Sequence, residues 1–349
     1  MNKLKKIRID FQYFGSGFNP EDNFFIKLLQ PYFDITVTKD RPDFVFFSVF
    51  HEIKTDNKIE SAIKKIYVKS NSLLKKTFPG LHSSLKKSDF STVIKKEAGF
   101  VQSRFSMPVL KGDFVKIFYT GENLAPDMGL CDWAFSFCYD EEFKHPHHMR
   151  LPNYLTAGNL TELIKQTDPR EILKSKIKFC NFVYSNEVGF RNKFFEKLNH
   201  YKRVDAPGRC MNNMPPIGHY DSPLSSRFGP DWNEAKIHFL KDYKFTIAFE
   251  NESYPGYVTE KIVHPMLANS IPIYFGNKFV GRDFNKKSFL FITDPDNLDE
   301  LIEKVIELDR DDEKYISMMK EPWLINNQKN KYMDNDRLLQ RFKTIFNSR

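Results

Sequence analysis

The chain has 349 residues and a formal net charge of +8, a length that suffices for two α/β domains with cores of their own. The positive balance suits an acidic partner, whether nucleic acid, an anionic membrane face or a nucleotide diphosphate, and charge alone does not choose among them. Four cysteines, Cys131, Cys138, Cys180 and Cys210, form neither a CxxC pair nor a close even framework, which argues against a disulfide scaffold and a structural zinc site and fits reduced thiols in a cytoplasmic protein.

The opening MNKLKKIRIDFQYF carries basic residues with no long apolar run behind them, so neither a signal peptide nor a membrane anchor is expected. Residues 6–11 read as a first strand, 23–29 as a helix, 34–38 as a second strand and 43–49 as a third, nearly all apolar strand of the buried type. Gly15-Ser16-Gly17 lacks the third glycine and the later acidic residue of a dinucleotide fingerprint, so it reads as a loop facing a cleft. From about Glu52 to Ser91 the chain turns lysine-rich, and Ile59, Ile63, Ile66 and Leu73 share one helical face. That pattern predicts a helical insertion over about residues 52–112, either a solvated cover or a surface for an anionic membrane or acidic partner.

Residues 115–119 read as the next strand, running into Thr120-Gly121-Glu122-Asn123. A carboxylate on a glycine turn at a strand end is where a general base is offered to a cleft, although a lone Glu there is otherwise a surface residue. His145, His147 and His148 invite a metal reading, but two are adjacent, Pro146 interrupts any helix and no carboxylate spacing completes a site. A loop leading to the interdomain crossing is expected instead, with a linker over residues 154–167.

The second half opens with a strand over residues 179–186, and Gly189-Phe190-Arg191-Asn192 starts a helix continuing through Leu198. Arg191 offers a planar fork of N–H donors suited to phosphate oxygens, or is simply an exposed first-turn arginine. Residues 215–233 form a Pro/Gly-rich loop, read as one that orders on ligand binding. Phe245, Ile247 and Phe249 alternate as a buried strand that stops at Glu250-Asn251-Glu252-Ser253. A helix follows with Thr259 at its cap, then a strand marked by Ile271, Ile273 and Phe275, which makes a βαβ crossover. The helix N-terminus and Lys261 favour an anion, and Glu260 is an acceptor suited to sugar hydroxyls; the plainer reading is a solvated helix end. Pro265 is expected to kink the turn after Lys261. Asp294-Pro295-Asp296 is a DxD spacing, read as helix-cap chemistry rather than a divalent-ion site. A helix near residues 334–346 is expected to pack back on the first half.

The run FENESYPGYVTEKI, followed by NSIPIYFG, resembles the signature of the α1,3-fucosyltransferase family, in which Phe-Glu-Asn, Tyr-Val-Thr-Glu-Lys and Pro-x-x-x-Gly recur in this order. TGEN and SNEVGFRN are two further blocks, and the resemblance covers most of residues 6–50 and 113–320. It implies an α/β GT-B fold, two Rossmann-like domains facing across a cleft, here with the lysine-rich helical insertion in the first. Residues 1–153 would bind the acceptor, 168–325 would bind GDP-fucose, and 326–349 would return to the N-terminal domain.

The implied reaction is inverting transfer of L-fucose from GDP-fucose to a hydroxyl of N-acetylglucosamine or glucose in an N-acetyllactosamine-type oligosaccharide, in α1,3 linkage. By resemblance Glu122 is the base, and Arg191, Tyr257, Glu260 and Lys261 contact the donor with Asn251 beside them. No metal site and no required cofactor are implied, with Mn²⁺ stimulation left open. A chain without an anchor resembles the bacterial members or an excised catalytic domain; a cytoplasmic protein is expected, with peripheral contact at the inner membrane face left open. The rival reading is a non-catalytic basic protein that binds nucleic acid or anionic membrane through the insertion, although no RNA-binding aromatic signature supports it.

Overall fold

The computed structural model describes residues 4–15, 17–50, 105–217 and 232–349. Residues 52–104 of the expected insertion and most of the 215–233 loop lie outside the described residues. The first half is a six-stranded parallel sheet of order β2-β1-β3-β4-β5-β6. Its strands are β1 (Lys6–Gln12), β2 (Asp34–Val37), β3 (Phe44–Phe47), β4 (Val115–Tyr119), β5 (Trp133–Ser136) and β6 (His148–Arg150). Helix α1 (Phe24–Leu29) joins β1 to β2, with the Asn23 side chain accepting from Phe25 N and Ile26 N as its cap.

All four residues of β3 are buried, as a strand covered on both faces must be. Phe44 and Phe46 join Ile7, Ile9 and Phe25 in the larger core, while Val45 and Phe47 pack on the other face with Phe118 and Ala134, covered by Phe105 and Met107. Helix α2 (Asp140–Phe143) lies between β5 and β6.

The second half is a five-stranded parallel sheet of order β11-β10-β9-β7-β8. In chain order it runs α3 (Pro169–Ser175), β7 (Lys178–Asn181), α4 (Gly189–Tyr201), β8 (Val204–Asp205), α5 (Trp232–Leu240) and β9 (Tyr243–Phe249). It continues through α6 (Glu260–Leu267), β10 (Ile271–Phe275), β11 (Leu290–Ile292), α7 (Leu298–Arg310) and α8 (Asp312–Lys320). Strand β9 sits centrally, paired with β10 through Ile247 opposite Ile273 and with β7 through Phe245 opposite Cys180. Helix α6 continues through Pro265 to Leu267.

The last helix, α9 (Asn335–Phe346), returns to the first sheet. Phe342 stacks on Phe135 with ring centroids 4.8 Å apart, and Phe346 meets Phe44 at 4.7 Å and Phe33 at 5.0 Å. Between the sheets, Arg150 at the end of β6 makes a buried two-pronged ion pair with Asp283, at 2.7 and 2.9 Å. Its guanidinium is sandwiched between the Tyr139 and Tyr332 rings, each 4.2 Å away.

Two expectations need correction here. Strand β7 ends at Asn181 rather than at residue 186, and the Asn181 amide donates to Phe245 O and Thr246 Oγ1 of the neighbouring strand. His148 begins β6 rather than lying in a loop. It is buried, with Nε2 2.8 Å from Ser136 Oγ and Nδ1 3.2 Å from Asp140 Oδ1. That chain has the form of a nucleophilic triad, but Ser136 is wholly buried and its oxygen accepts the Cys138 N–H, so it staples β5 to β6.

Candidate functional site

Ligands of parallel sheets bind beyond the carboxyl ends of the strands, and at the end of β9 the chain leaves the sheet through Glu250 and Asn251. Glu250 is fully buried. Its carboxylate accepts from Thr259 N at 2.9 Å, from Thr259 Oγ1 at 2.8 Å and from Lys261 Nζ at 3.0 Å. Thr259 is the cap of α6, as expected, so one carboxylate fixes both the start of that helix and its first cation. The turn before it needs glycine: Gly256 has φ +86°, and a Cβ there would lie 2.3 Å from Phe137 O.

Arg191 lies beside this carboxylate, in the first turn of α4. It is 1% exposed, not the solvent-facing first-turn residue of the plainer reading. Its guanidinium lies 3.8 Å from the Tyr184 ring centroid and donates to Asn251 Oδ1 at 3.1 Å and to Asn186 O at 2.6 Å. Asn186 and Asn251 are exposed, so the groups that cover the guanidinium are themselves at the surface. The Tyr184 hydroxyl in turn accepts from Phe249 N at 2.7 Å, which ties the platform under Arg191 to the end of β9.

The loop after β4 forms the facing wall. Glu122 N donates to Thr120 Oγ1 at 3.1 Å, an ST-turn that holds the Glu122 backbone at the strand end. Tyr257 is 3% exposed and its hydroxyl donates across to Gly121 O at 3.5 Å, while Asn123 Nδ2 donates to Glu252 Oε2 at 2.9 Å. The expected base and the expected donor residues therefore meet at one seam between the two halves.

The electrostatics of the seam follow from burial and close pairing. Burial works to neutralise Lys261, yet Glu250 and then Glu260 hold its ammonium above the ordinary lysine range. Burial works to raise the Glu260 carboxyl, but Lys261, Lys236 and His264 together outweigh it and leave the carboxyl below the ordinary range. The Tyr257 phenol is pushed well up by burial and then by the charges of Glu250, Glu122 and Glu260, against the pull of Lys261, so it stays a hydrogen-bond donor. His264, on the buried side of α6, is pulled down to about 3 by burial and by Lys236. It is therefore neutral and donates from Nε2 to Ala157 O at 3.0 Å.

Among the described residues no group of three or more His, Cys, Asp or Glu side chains is placed to hold a metal ion. His147 stacks on Trp133 with centroids 4.1 Å apart, and Asp294 caps the turn at residues 295–297 by accepting from Asp296 N. Sequence reasoning brought together Arg191, Asn251, Tyr257, Glu260, Lys261 and Glu122, and it missed Tyr184 and the latch from Asn123 to Glu252. It also read Glu250 only as part of the polar cluster that ends the strand. The signal for Glu250 was an acidic residue directly after an apolar strand, eleven positions before the lysine that pairs with it.

Residues 173–337 match the model of "Glycosyltransferase family 10 (fucosyltransferase) C-term", and residues 74–157 match that of "Alpha-(1,3)-fucosyltransferase FucT N-terminal domain". The chain belongs to this fucosyltransferase family. The N-terminal match begins at residue 74, inside the stretch expected to be an insertion. A protein of Acanthamoeba polyphaga mimivirus named as a fucosyltransferase is 33% identical over 218 residues, 62% of this chain and 35% of its own length. The Alpha-(1,3)-fucosyltransferase FucT of Helicobacter pylori is 31% identical over 240 residues, 59% of this chain and 46% of its own. The chain thus spans less than half the length of these two curated relatives.

In fold, this family member is similar to a crystal structure of an α1,3-fucosyltransferase with GDP-fucose, at TM-score 0.66 and 21% identity over 99% of this chain and 92% of the other. The two parallel-sheet halves of that fucosyltransferase fold are the architecture described above. No helix among the described residues is long and apolar enough to cross a membrane.

Proposed function

We propose that this chain transfers L-fucose from GDP-fucose to a hydroxyl of N-acetylglucosamine or glucose in an N-acetyllactosamine-type oligosaccharide, forming an α1,3 linkage with inversion. The observation that carries the reading is the seam itself. Two cations, Arg191 and Lys261, lie at the carboxyl end of the second sheet, and the Glu122 loop of the first sheet faces them across Tyr257.

In this reading the diphosphate sits against Lys261 and the N-terminus of α6, and a phosphate oxygen takes the place of Asn251 on the Arg191 guanidinium. As the bond from fucose to phosphate breaks, negative charge collects on GDP, and cations fixed beside it stabilise the transition state more than the ground state. Those side chains do the neutralising, so no divalent ion is required. Tyr257 and the ionised Glu260 position fucose and ribose through hydroxyl contacts. Glu122 takes the acceptor proton: a sugar hydroxyl is too weak an acid to ionise at neutral pH, so its proton passes to a neighbouring carboxylate as the new bond forms. Inversion needs attack from the face opposite GDP, and Glu122 belongs to the half opposite the two cations.

The test is a thermal shift with GDP against other nucleoside diphosphates, followed by GDP-fucose turnover on a glycan array with the product linkage read by NMR. Selective stabilisation by GDP and an α1,3-linked product support the reading; equal stabilisation by any polyanion, weakening with salt, supports the rival basic-surface protein instead.

A further inference from the structure

Glu250 N donates to Phe275 O at 2.7 Å, which fixes the residue against the end of β10. The side chain fits there because residue 276 is glycine: a Cβ would come within 2.7 Å of Glu250 Cγ and 2.4 Å of the Tyr274 hydroxyl. A charge removed from water in this way is tolerated only when it is paired and hydrogen-bonded. Thr259 and Lys261 supply both kinds of contact.

Lys261 has three N–H donors. One goes to Glu250 Oε2 and a second to Thr259 Oγ1 at 3.2 Å, while 17% of the side chain is open to solvent. The cation is therefore held from behind at two points. We propose that Glu250 is the positioning counter-ion of the donor site, anchoring the Lys261 ammonium so that its remaining N–H meets the diphosphate of GDP. This rests on the reading of the seam as a GDP-fucose pocket.

The surrounding charges support an anchored, permanently charged lysine. Burial opposes the ammonium, and the largest opposing influence is Glu250, followed by Glu260 in the same turn. Tyr257 and Tyr184 also face Lys261, and burial keeps both phenols neutral. His264 on the same helix is neutral as well, and Lys236 of α5 acts on Glu260 and His264 from the neighbouring helix. Arg191 and Tyr274 are the other titratable groups whose balance includes Glu250. With Glu250 made neutral, burial would act on Lys261 with only Glu260 against it.

The experiment compares the parent with Glu250→Gln, which keeps the shape and the acceptor for Thr259, and with Glu250→Asp, which keeps the charge. GDP affinity is measured by calorimetry from about pH 6.5 to about pH 10, alongside mass-spectrometric acetylation of Lys261 without nucleotide, since only a neutral amine is acetylated. The parent and Glu250→Asp should show flat GDP affinity and a protected Lys261 up to about pH 9. Glu250→Gln should match the parent at the acid end and then lose about tenfold in affinity per pH unit as Lys261 becomes reactive. Parallel profiles in the parent and Glu250→Gln overturn the proposal. Should Glu250→Gln not fold, the parent alone decides, because acetylation of its Lys261 with a midpoint below about pH 9 contradicts the anchor. A parent that binds no GDP overturns the donor reading and the ligand named here, and the acetylation profile then judges the anchor separately.

Discussion

Asp283→Asn is the perturbation that best separates a structural tie from a solvated contact. Arg150 and Asp283 are both fully buried, and their two bonds join the end of β6 to the second half. Removing one partner of a buried pair costs about 3–5 kcal/mol, because the other charge is left uncompensated. The lower end applies here. Asparagine retains one acceptor, and Arg150 keeps its bonds to Phe137 O at 3.0 Å and Gly256 O at 3.2 Å and its place between two tyrosine rings.

A loss of about 3 kcal/mol is roughly a hundredfold in the unfolding equilibrium. With an unfolding entropy near 0.7 kcal/mol per degree for a chain of this length, the melting temperature should fall by about 4 °C. Equilibrium urea unfolding and scanning calorimetry measure both quantities. The double variant Arg150→Met with Asp283→Leu should recover only part of the loss, since the Phe137 and Gly256 carbonyls then lack a donor at about 1–3 kcal/mol each. Because Arg150 holds the turn before Tyr257, Asp283→Asn should also raise the donor KM. A melting temperature within about 1 °C of the parent would refute the argument that this pair is desolvated.

The other predictions concern the chemistry. Glu122→Gln keeps the shape but cannot accept a proton, so GDP-fucose should still bind while transfer drops by roughly two to four orders of magnitude; transfer near the parent rate in a coupled GDP-release assay rules Glu122 out as the base. Lys261→Ala should lower kcat by on the order of a hundredfold. It should also destabilise the fold by about 3–5 kcal/mol by stranding Glu250, so a variant of normal stability would contradict the buried pair. Tyr257→Phe removes the hydroxyl that donates to Gly121 O, and an unchanged donor KM would place that hydroxyl outside the donor contacts. EDTA should leave turnover intact, and activity lost with EDTA but restored by Mn²⁺ would return Asp294 and Asp296 to consideration despite their capping bond.

Local chemistry was readable in the sequence wherever the determining contact is local. The cap at Thr259 rests on a bond to Lys261 N two residues away, and the helix after Gly189 shows its apolar residues at the expected spacing. The parallel character of the second sheet followed from one strand, helix and strand unit. What stayed hidden was set by pairs far apart in the chain. Asn123 and Glu252 are separated by 129 positions and Arg150 and Asp283 by 133, and neither residue type nor spacing announces such a pair. Arg191 illustrates the same limit in burial: an arginine in a first helical turn reads as exposed, and it is enclosed by Tyr184, three residues past the end of β7, together with Asn186 and Asn251.

Four carboxylates crowd this seam, and their surroundings sort them into different tasks. Glu250 has both oxygens occupied by Thr259 and Lys261 and no access to solvent, so it cannot take a proton from an incoming hydroxyl without breaking the anchor of the helix. Glu260 is held below the ordinary carboxyl range by Lys261, Lys236 and His264, against burial, which makes it a persistent acceptor of hydrogen bonds and a weak base. Glu252 is exposed and accepts from Asn123, a contact suited to closing the seam. Glu122 alone among the four comes from the first half. A base for inversion must stand across the reacting carbon from the leaving diphosphate, and the three carboxylates of the second half share its side with Arg191 and Lys261. Position relative to the cations, more than acidity taken by itself, therefore favours Glu122 as the base.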